Sequence, residues 1–488
     1  MGRFRPVLFL AACVISLAGC PLAMSNDYRI VGGSAGGVAG AGGGTAGSGG
    51  SAGSPDASAG SGGSSGSGGA SGSGGTSGSG GVGGSAGDAG ASCDGCSGVC
   101  CNNVCVNTNT DPANCGGCNN ACSVGRDCIF GKCQLGWVAS AANPPSGFVP
   151  REKAAYCWTG SRVFIWGGAD SSGAALDDGA LYDPAADTWS TVTKDTNTPS
   201  PRVLATAVSV GNVVVVWGGG DPSGSADHNG GAVYDLQGHS WTKLATAGTT
   251  PPGERAPVGW VVGGKVGFWG GWNKSTLPVA GAFVYTLAGG SWKQGSTNND
   301  PGARLYAATA SSGSELYVYG GQPNGAGKTD HSSRYNAAAD AWNNVPNGPS
   351  QRYGAFSAWD GQAFVVWGGR DDKNADADGE YLQGNGWMKM STNGVPTPRW
   401  APARESGWAA RIADGTTLLL GGSGFAQGSF KTDGAVYDRP SDGWSAVQSW
   451  PSGEAHEWGV GVWTGGEFVL WGGRNGSQFT ASLERYKP

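Results

Sequence analysis

After residue 20 the chain has no run of 18 consecutive apolar residues, so it offers no candidate membrane-spanning helix. Positive charge is also short. Lys and Arg number 30 against 36 Asp and Glu, giving a net charge of −6 and a pI near 5.3. That balance, with no basic cluster, excludes nucleic acid and anionic lipid as general partners. Histidine occurs only four times, at His228, His239, His331 and His456, so chemistry that needs several imidazoles has little to draw on. Between residues 32 and 92 there is no aromatic residue and there are only two acids. What fills that segment is Gly, Ser and Ala, part of a total of 94 glycines, and such a composition has nothing to bury. It is expected to be a disordered tether. Flexible-chain scaling gives these 61 residues a typical span of roughly 40 to 45 Å, and about 200 Å at full extension.

The first residues do carry an apolar run. Arg3 and Arg5 give a positive start, and Val7 to Leu17 form a stretch too short to span a bilayer comfortably, the pattern of an export signal. Leu17-Ala18-Gly19-Cys20 follows and resembles the lipobox of bacterial lipoproteins. The resemblance implies cleavage after residue 19 and acylation of Cys20, with a short segment 20–31 ahead of the tether. Pro21 is not the aspartate associated with inner-membrane retention, which points to the outer membrane or cell surface. The N-terminal lipid is then the expected membrane attachment.

Ten cysteines fall within 41 residues: Cys93, Cys96, Cys100, Cys101, Cys105, Cys115, Cys118, Cys122, Cys128 and Cys133. An exported segment this small cannot build an adequate core, so disulfides are expected in place of zinc, although Cys93-x-x-Cys96 and Cys115-x-x-Cys118 have zinc-like spacing. Spacing alone leaves the connectivity open. Gly98-Val99-Cys100, Thr110-Asp111-Pro112-Ala113-Asn114-Cys115-Gly116-Gly117-Cys118, Cys122, Cys128 and Gly131-Lys132-Cys133 resemble the plant stigma-specific protein family. That resemblance covers residues 93–136 and implies a small extracellular disulfide module with no catalytic role. The doubled Cys100-Cys101 leaves its pairing pattern open.

From Trp137 onward the chain repeats. A glycine pair closes an apolar run at Gly167, Gly218, Gly270, Gly320, Gly368, Gly421 and Gly472, at intervals of 48 to 53 residues. The runs, such as Val163 to Trp166 and Phe468 to Trp471, are β-rich and too short for helices. A tyrosine and then a tryptophan follow: Tyr182 and Trp189, Tyr234 and Trp241, Tyr285 and Trp292, Tyr335 and Trp342, Tyr381 and Trp387, Tyr437 and Trp444. This recurrence resembles the kelch repeat over residues 137–488 and implies an all-β, seven-bladed β-propeller. The last unit has Tyr486 but no tryptophan after it, and Trp137 is expected to supply the missing outer strand and close the ring. The propeller is expected to be monomeric, with its aromatic residues filling the wedges between blades.

Sites are expected on the connections, since the strands serve packing. Arg151, Arg202, Arg304 and Arg352 each lie 16 residues before their glycine pair, Arg255 lies 15 before and Arg404 lies 17 before. In the seventh unit that place falls on His456. Kelch propellers line a central channel with their inner strands, so the resemblance makes these seven residues candidate ligand contacts for an acidic or polyhydroxyl ligand. Bracing of neighbouring blades through backbone carbonyls is the alternative. A second candidate is an oxygen-rich loop with Asp372, Asp376 and Asp378, which resembles a calcium site. Asp178-Gly179, Asn229-Gly230 and Asp433-Gly434 stand at comparable places, however, so recurring turn chemistry is the preferred reading and no cofactor is expected. A copper radical oxidase resembling galactose oxidase needs two histidines, two tyrosines and a linked cysteine, and no such arrangement can be registered here. Cys157, the one thiol in the repeats, fits a buried strand. The expected function is a surface-displayed binding or adhesion protein recognising a glycan or protein partner. A carbohydrate-active hydrolase or lyase is the alternative.

Overall fold

The structure is a computed structural model and describes Cys93, Cys96 and residues 98–122, 126–138, 140–274, 277–323, 327–371, 373–401, 407–424 and 430–488. The export signal, Cys20, the tether, Asp372 and Arg404 lie outside the described residues.

Seven blades follow one another, each an antiparallel four-stranded sheet, and the third carries a fifth short strand, Ala247–Gly248, parallel to its outer strand Ser291–Gln294. In blade one, Ala155–Trp158, Val163–Trp166, Gly179–Asp183 and Thr188–Val192 pair in chain order. The inner strands of the next five blades are Thr206–Val210, Val258–Val262, Ala308–Ser311, Phe356–Trp359 and Gly407–Ala413. Blade seven takes three strands from the C-terminus, Val460–Trp463, Phe468–Trp471 and Leu483–Tyr486, and its outer strand is Trp137–Val138. Tyr486 sits opposite Trp137 in that pairing, as Tyr182 sits opposite Trp189 and Tyr437 opposite Trp444. The ring therefore closes as the repeats imply.

The core is distributed over the wedges between blades. Phe164, Trp166 and Leu181 of blade one pack on Tyr234 and Trp241 of blade two, and the same division recurs to the wedge where Tyr182 of blade one meets Val460 and Trp471 of blade seven. Five of the seven wedges are also latched by a hydrogen bond from the outer-strand tryptophan, whereas the buried indole N–H groups of Trp189 and Trp342 have no such partner. The indole N–H of Trp241 donates to the carbonyl of Thr193 in the preceding blade at 2.9 Å, and Trp292, Trp387 and Trp444 do likewise to Ala245, Pro346 and Ser391. Trp137 obeys the rule, donating to Gln448 at 2.8 Å. A buried indole gains from bonding its N–H, and in these five wedges the neighbouring loop carbonyl gives it a fixed partner.

The glycine pairs permit the crossing from second to third strand. Gly167 and Gly168 both have positive φ, and a Cβ on Gly168 would stand 2.6 Å from the Glu152 carbonyl oxygen. No other residue fits.

Blade five departs from the pattern expected of it. Leu382, not Tyr381, pairs with Trp387, and Tyr381 turns to the other face, where the Arg439 guanidinium lies 5.7 Å from its ring. The physical sign was in the spacing: six residues separate Tyr381 from Trp387, where seven separate each other pair.

In the cysteine-rich module Cys96–Cys105, Cys101–Cys118, Cys115–Cys128 and Cys122–Cys133 are bridged, and Cys93 and Cys100 are disulfide-bonded as well. Two hairpins, Val99–Cys101 with Val104–Val106 and Arg126–Ile129 with Lys132–Leu135, are all its regular structure. The second hairpin is more than a spacer. Ile129 and Phe130 pack into the wedge of blades six and seven beside Trp408, Trp450 and Tyr486. Asp127, also buried, accepts a hydrogen bond from the Gln448 backbone. In other wedges the residue four past a tryptophan donates its N–H to the next blade's carboxylate, as Ser296 does to Asp340 and Ser391 to Asp442 at 2.8 Å. Asp127 fills that role for blade seven from outside the repeats.

Candidate functional site

In a meander blade the first strand starts at the end where the second finishes and the third begins. The connections between blades and the loops after the glycine pairs therefore share one face. Around the axis on this face the chain forms three successive rings, one residue apart in sequence.

The outermost of the three contains four of the arginines singled out above, Arg151, Arg202, Arg304 and Arg352, and all four are buried. Arg151, Arg202, Arg304 and Arg352 each donate Nη1–H to the carbonyl of the first glycine of their pair, at 2.8 to 3.2 Å. A second carbonyl follows, from Asp178, Gly230, His331 and Asp378 respectively. Their donors brace the blade, and burial keeps them from a ligand in the channel. In the sixth blade the place belongs to Arg399, bonded to Gly421 and Asp433 in the same way. Arg399 lies 22 residues before its glycine pair because that blade's approach is longer. In the third the place falls on Glu254, whose carbonyl accepts from Gly219 as Arg202's accepts from Gly168. Burial pushes the Glu254 carboxyl well up, and the Trp217 indole donates to it at 3.2 Å. Arg255 belongs to the next ring. Its guanidinium pairs with Asp227 at 2.5 Å and lies 5.1 Å from the Trp272 ring.

His456 is the brace of blade seven. Its Nδ1 lies 2.8 Å from the Gly472 carbonyl, which can only accept, so Nδ1 carries the proton and Nε2 faces Ser482 Oγ at 3.4 Å. Burial lowers its pKa to about 4. It is a neutral, enclosed imidazole. A channel-facing role for it is not what the geometry provides.

Recurring Asp-Gly pairs turn out to be clamps, since Asp178, Asp378 and Asp433 form ion pairs with Arg151, Arg352 and Arg399 at 2.7, 3.0 and 2.9 Å. The preferred reading of these pairs as hairpin turns is corrected: they open the third strand. Asp378 thus faces a guanidinium where calcium would have to stand. Asp376 is held up by burial, and Asp371 caps its own turn through the N–H groups of Lys373 and Asn374. Among the described residues the one group of metal-type donors close together is Cys115, Cys122 and Cys133, all engaged in disulfides.

In the inner rings Lys153, Arg370, Trp400, Glu457 and Arg474 are part-exposed and open to a ligand, while Glu152, Tyr306, Tyr353 and Trp458 are buried behind them. Lys153, Leu204, Ala256, Tyr306, Gly354 and Trp458 all have positive φ. Backbone bonds of 2.7 to 2.9 Å run from blade to blade, Lys153 to Trp458, Leu204 to Lys153, Ala256 to Leu204, Gly354 to Tyr306 and Ala401 to Gly354. These two runs of blade-to-blade bonds, from blade seven through blade three and from blade four through blade six, hold the strained residues in place. Over blades four to six the mouth is aromatic: Tyr306, Tyr353 and Trp400 have ring centroids 5.9 to 6.5 Å apart, and Arg370 lies 4.8 Å from the Trp400 ring. Over blades seven and one it is charged. Arg474 Nε stands 3.1 Å from both Glu152 and Glu457, and Lys153 Nζ is 2.6 Å from Glu152 and 5.0 Å from the Trp458 ring. Burial raises the Glu457 carboxyl against the pull of Arg474.

The four histidines stay apart, each engaged within its own blade: His228 with Asp221, His239 with Tyr234, His331 with Arg304 and His456 with Gly472.

Residues 116–277 match the model of the KLHDC2/KLHL20/DRC7 Kelch-repeats domain. Over that span the repeats are similar to kelch repeats. The match begins inside the cysteine-rich module, whereas the propeller itself runs from Trp137 to Tyr486 in the structure. Residues 84–136 match the Stigma-specific STIG1-like protein family, so the module is STIG1-like. The chain is 26% identical over 195 residues to Tip elongation aberrant protein 1 of Schizosaccharomyces pombe, an alignment covering 38% of this chain and 17% of that protein. The solved structure of YjhT aligns with 62% of this chain and 99% of its own, at 17% identity and a TM-score of 0.47.

Proposed function

We propose that this protein is a lipid-anchored, surface-displayed binding module whose kelch propeller recognises a glycan at the channel mouth. The observation that carries the reading is the pairing, within one mouth, of an aromatic sector at Tyr306, Tyr353 and Trp400 with a charged sector at Glu152, Glu457, Arg474 and Lys153. Trp400 is the part-exposed ring of the aromatic sector, backed by the buried Tyr306 and Tyr353, and it offers a face for a sugar ring beside the part-exposed Lys153, Glu457 and Arg474, which can take hydroxyls. Kelch propellers also serve as scaffolds for protein binding or catalysis, and a protein partner on the same face is the second reading. Anchorage rests on the Cys20 motif, the Gly/Ser tether and a disulfide-held module suited to an oxidising compartment.

The test is a glycan-array screen of the full chain beside its Trp400→Ala variant. Saturable binding by the parent and a loss of about tenfold in the variant support the reading. Equal binding by both variants places recognition elsewhere, and no binding to any glycan moves the proposal to a protein ligand. Metabolic labelling with palmitate, abolished by Cys20→Ser, tests the anchor.

A further inference from the structure

Blades two and four lack the carboxylate counter-ion that the brace arginines of blades one, five and six have; in blade four the His331 ring stands 3.3 Å from Arg304 in its place, and in blade two no described residue does so. In blade six Asp433 offers both carboxylate oxygens to Arg399, at 2.9 and 3.1 Å, and in blade one Asp178 does the same for Arg151, at 2.7 and 3.0 Å. The corresponding residue of blade two, the last before Gly231–Asp235, is Gly230. Arg202 otherwise repeats the bonding of Arg399. Its Nε donates to Ser200 O, Nη1 to Gly218 and Gly230, and Nη2 to Ser200 Oγ. Arg202 is nevertheless 95% buried and forms no ion pair with any described residue. Burial lowers its pKa to about 10, and Asp221 offsets this only at longer range, while Arg352, which has carboxylates against it, is raised.

Where the aspartate is missing there is a cavity of about 450 Å³, lined by Arg202, Lys243, Asn197, Thr196, Thr198 and Ser200 among others, with no acidic residue in its wall. Such a volume admits a sugar residue, and two cations with an amide and three hydroxyls are arranged for an anion that also carries hydroxyl groups.

We propose that this interblade cavity is a binding site for a uronic acid residue of a glycan, whose carboxylate takes the place that Asp433 and Asp178 hold against the arginines of blades six and one. The inference deepens the glycan reading above but uses a different site from the channel mouth, so the two can fail separately.

Titration calorimetry of the full chain with glucuronate, glucose and acetate tests it, alongside Gly230→Asp and Lys243→Gln variants. Gly230 has no positive φ and nothing within 4 Å of a built Cβ, so the aspartate can be accommodated and would supply the absent counter-ion from within. Glucuronate is expected to bind saturably in the millimolar range, with glucose and acetate at least about tenfold weaker. Gly230→Asp is expected to lose at least about tenfold in glucuronate affinity without a fall in Tm, and to keep any Trp400-dependent array binding. Lys243→Gln is expected to weaken glucuronate several-fold, and it decides the matter if the glycine variant fails to fold. Unchanged binding in a folded Gly230→Asp overturns the proposal, as does the absence of glucuronate binding. Equal binding of glucose removes the role of the carboxylate, and equal binding of acetate removes the sugar.

Discussion

The cysteine-rich module and a single propeller blade are of similar length, yet they are held by different means. A blade owes its order to its neighbours: Trp217 of blade two is 1% exposed because Phe268, Tyr285 and Trp292 of blade three cover it. The module has four short strands and few buried apolar side chains, and its bridges stand where a core would be. The difference shows that stability in this chain is shared along the ring in one part and covalent and local in the other. The two regions meet at Asp127, where the module contributes the acid that blade seven lacks.

That contrast can be broken from either side. Trp217→Ala empties a shared wedge and is expected to cost about 3 to 5 kcal/mol of propeller stability, read from the denaturant midpoint. Replacing Cys115 and Cys128 together by Ser removes a bridge of sequence separation 13, worth about 3 kcal/mol to the module on chain-entropy grounds. Exchange protection should then fall in residues 98–122 while the inner strands of blades one to five keep theirs.

A third test concerns charge inside a blade. Glu380 faces Arg352 at 2.9 Å, yet burial outweighs that attraction and raises its carboxyl from 4.5 to about 7. A carboxyl raised on folding adds stability that is complete below about pH 4.5 and is lost as pH rises through about 7. Stability from this group should therefore drop by roughly 2 to 3 kcal/mol over that interval. Glu380→Gln should flatten the slope. His456, lowered from 6.5 to about 4, acts in the opposite sense: its contribution is present above about 6.5 and is lost as pH falls through about 4. The smallest effect is expected for Asp127→Ala, about 1 to 2 kcal/mol from leaving the Gln448 N–H unpaired, seen as earlier unfolding of blade seven relative to the rest.

The architecture was legible because three features recur in register, the glycine pair, the tyrosine and the tryptophan, and outside blade five the tyrosine stands opposite the tryptophan in every blade. Sites were harder to read, since the repeated arginines recur for the same reason, as braces, and repetition marks structure before function. Counting 16 residues back from Gly270 reaches Glu254, and the neighbouring Arg255 was the tempting misreading. Arg399 was hidden by the longer approach to blade six. The aromatic mouth gave no sequence signal. Tyr306, Tyr353 and Trp400 come from three blades and two ring positions, and only the closed ring brings them together.

The most direct test of the binding surface is hydrogen exchange of the full chain with and without a saturating array-selected glycan. Added protection is expected at residues 152–153, 353–354 and 399–401, with none at the opposite-face turns 159–162 and 360–363. Protection confined to those turns, or to the cysteine-rich module, would contradict recognition at the channel mouth.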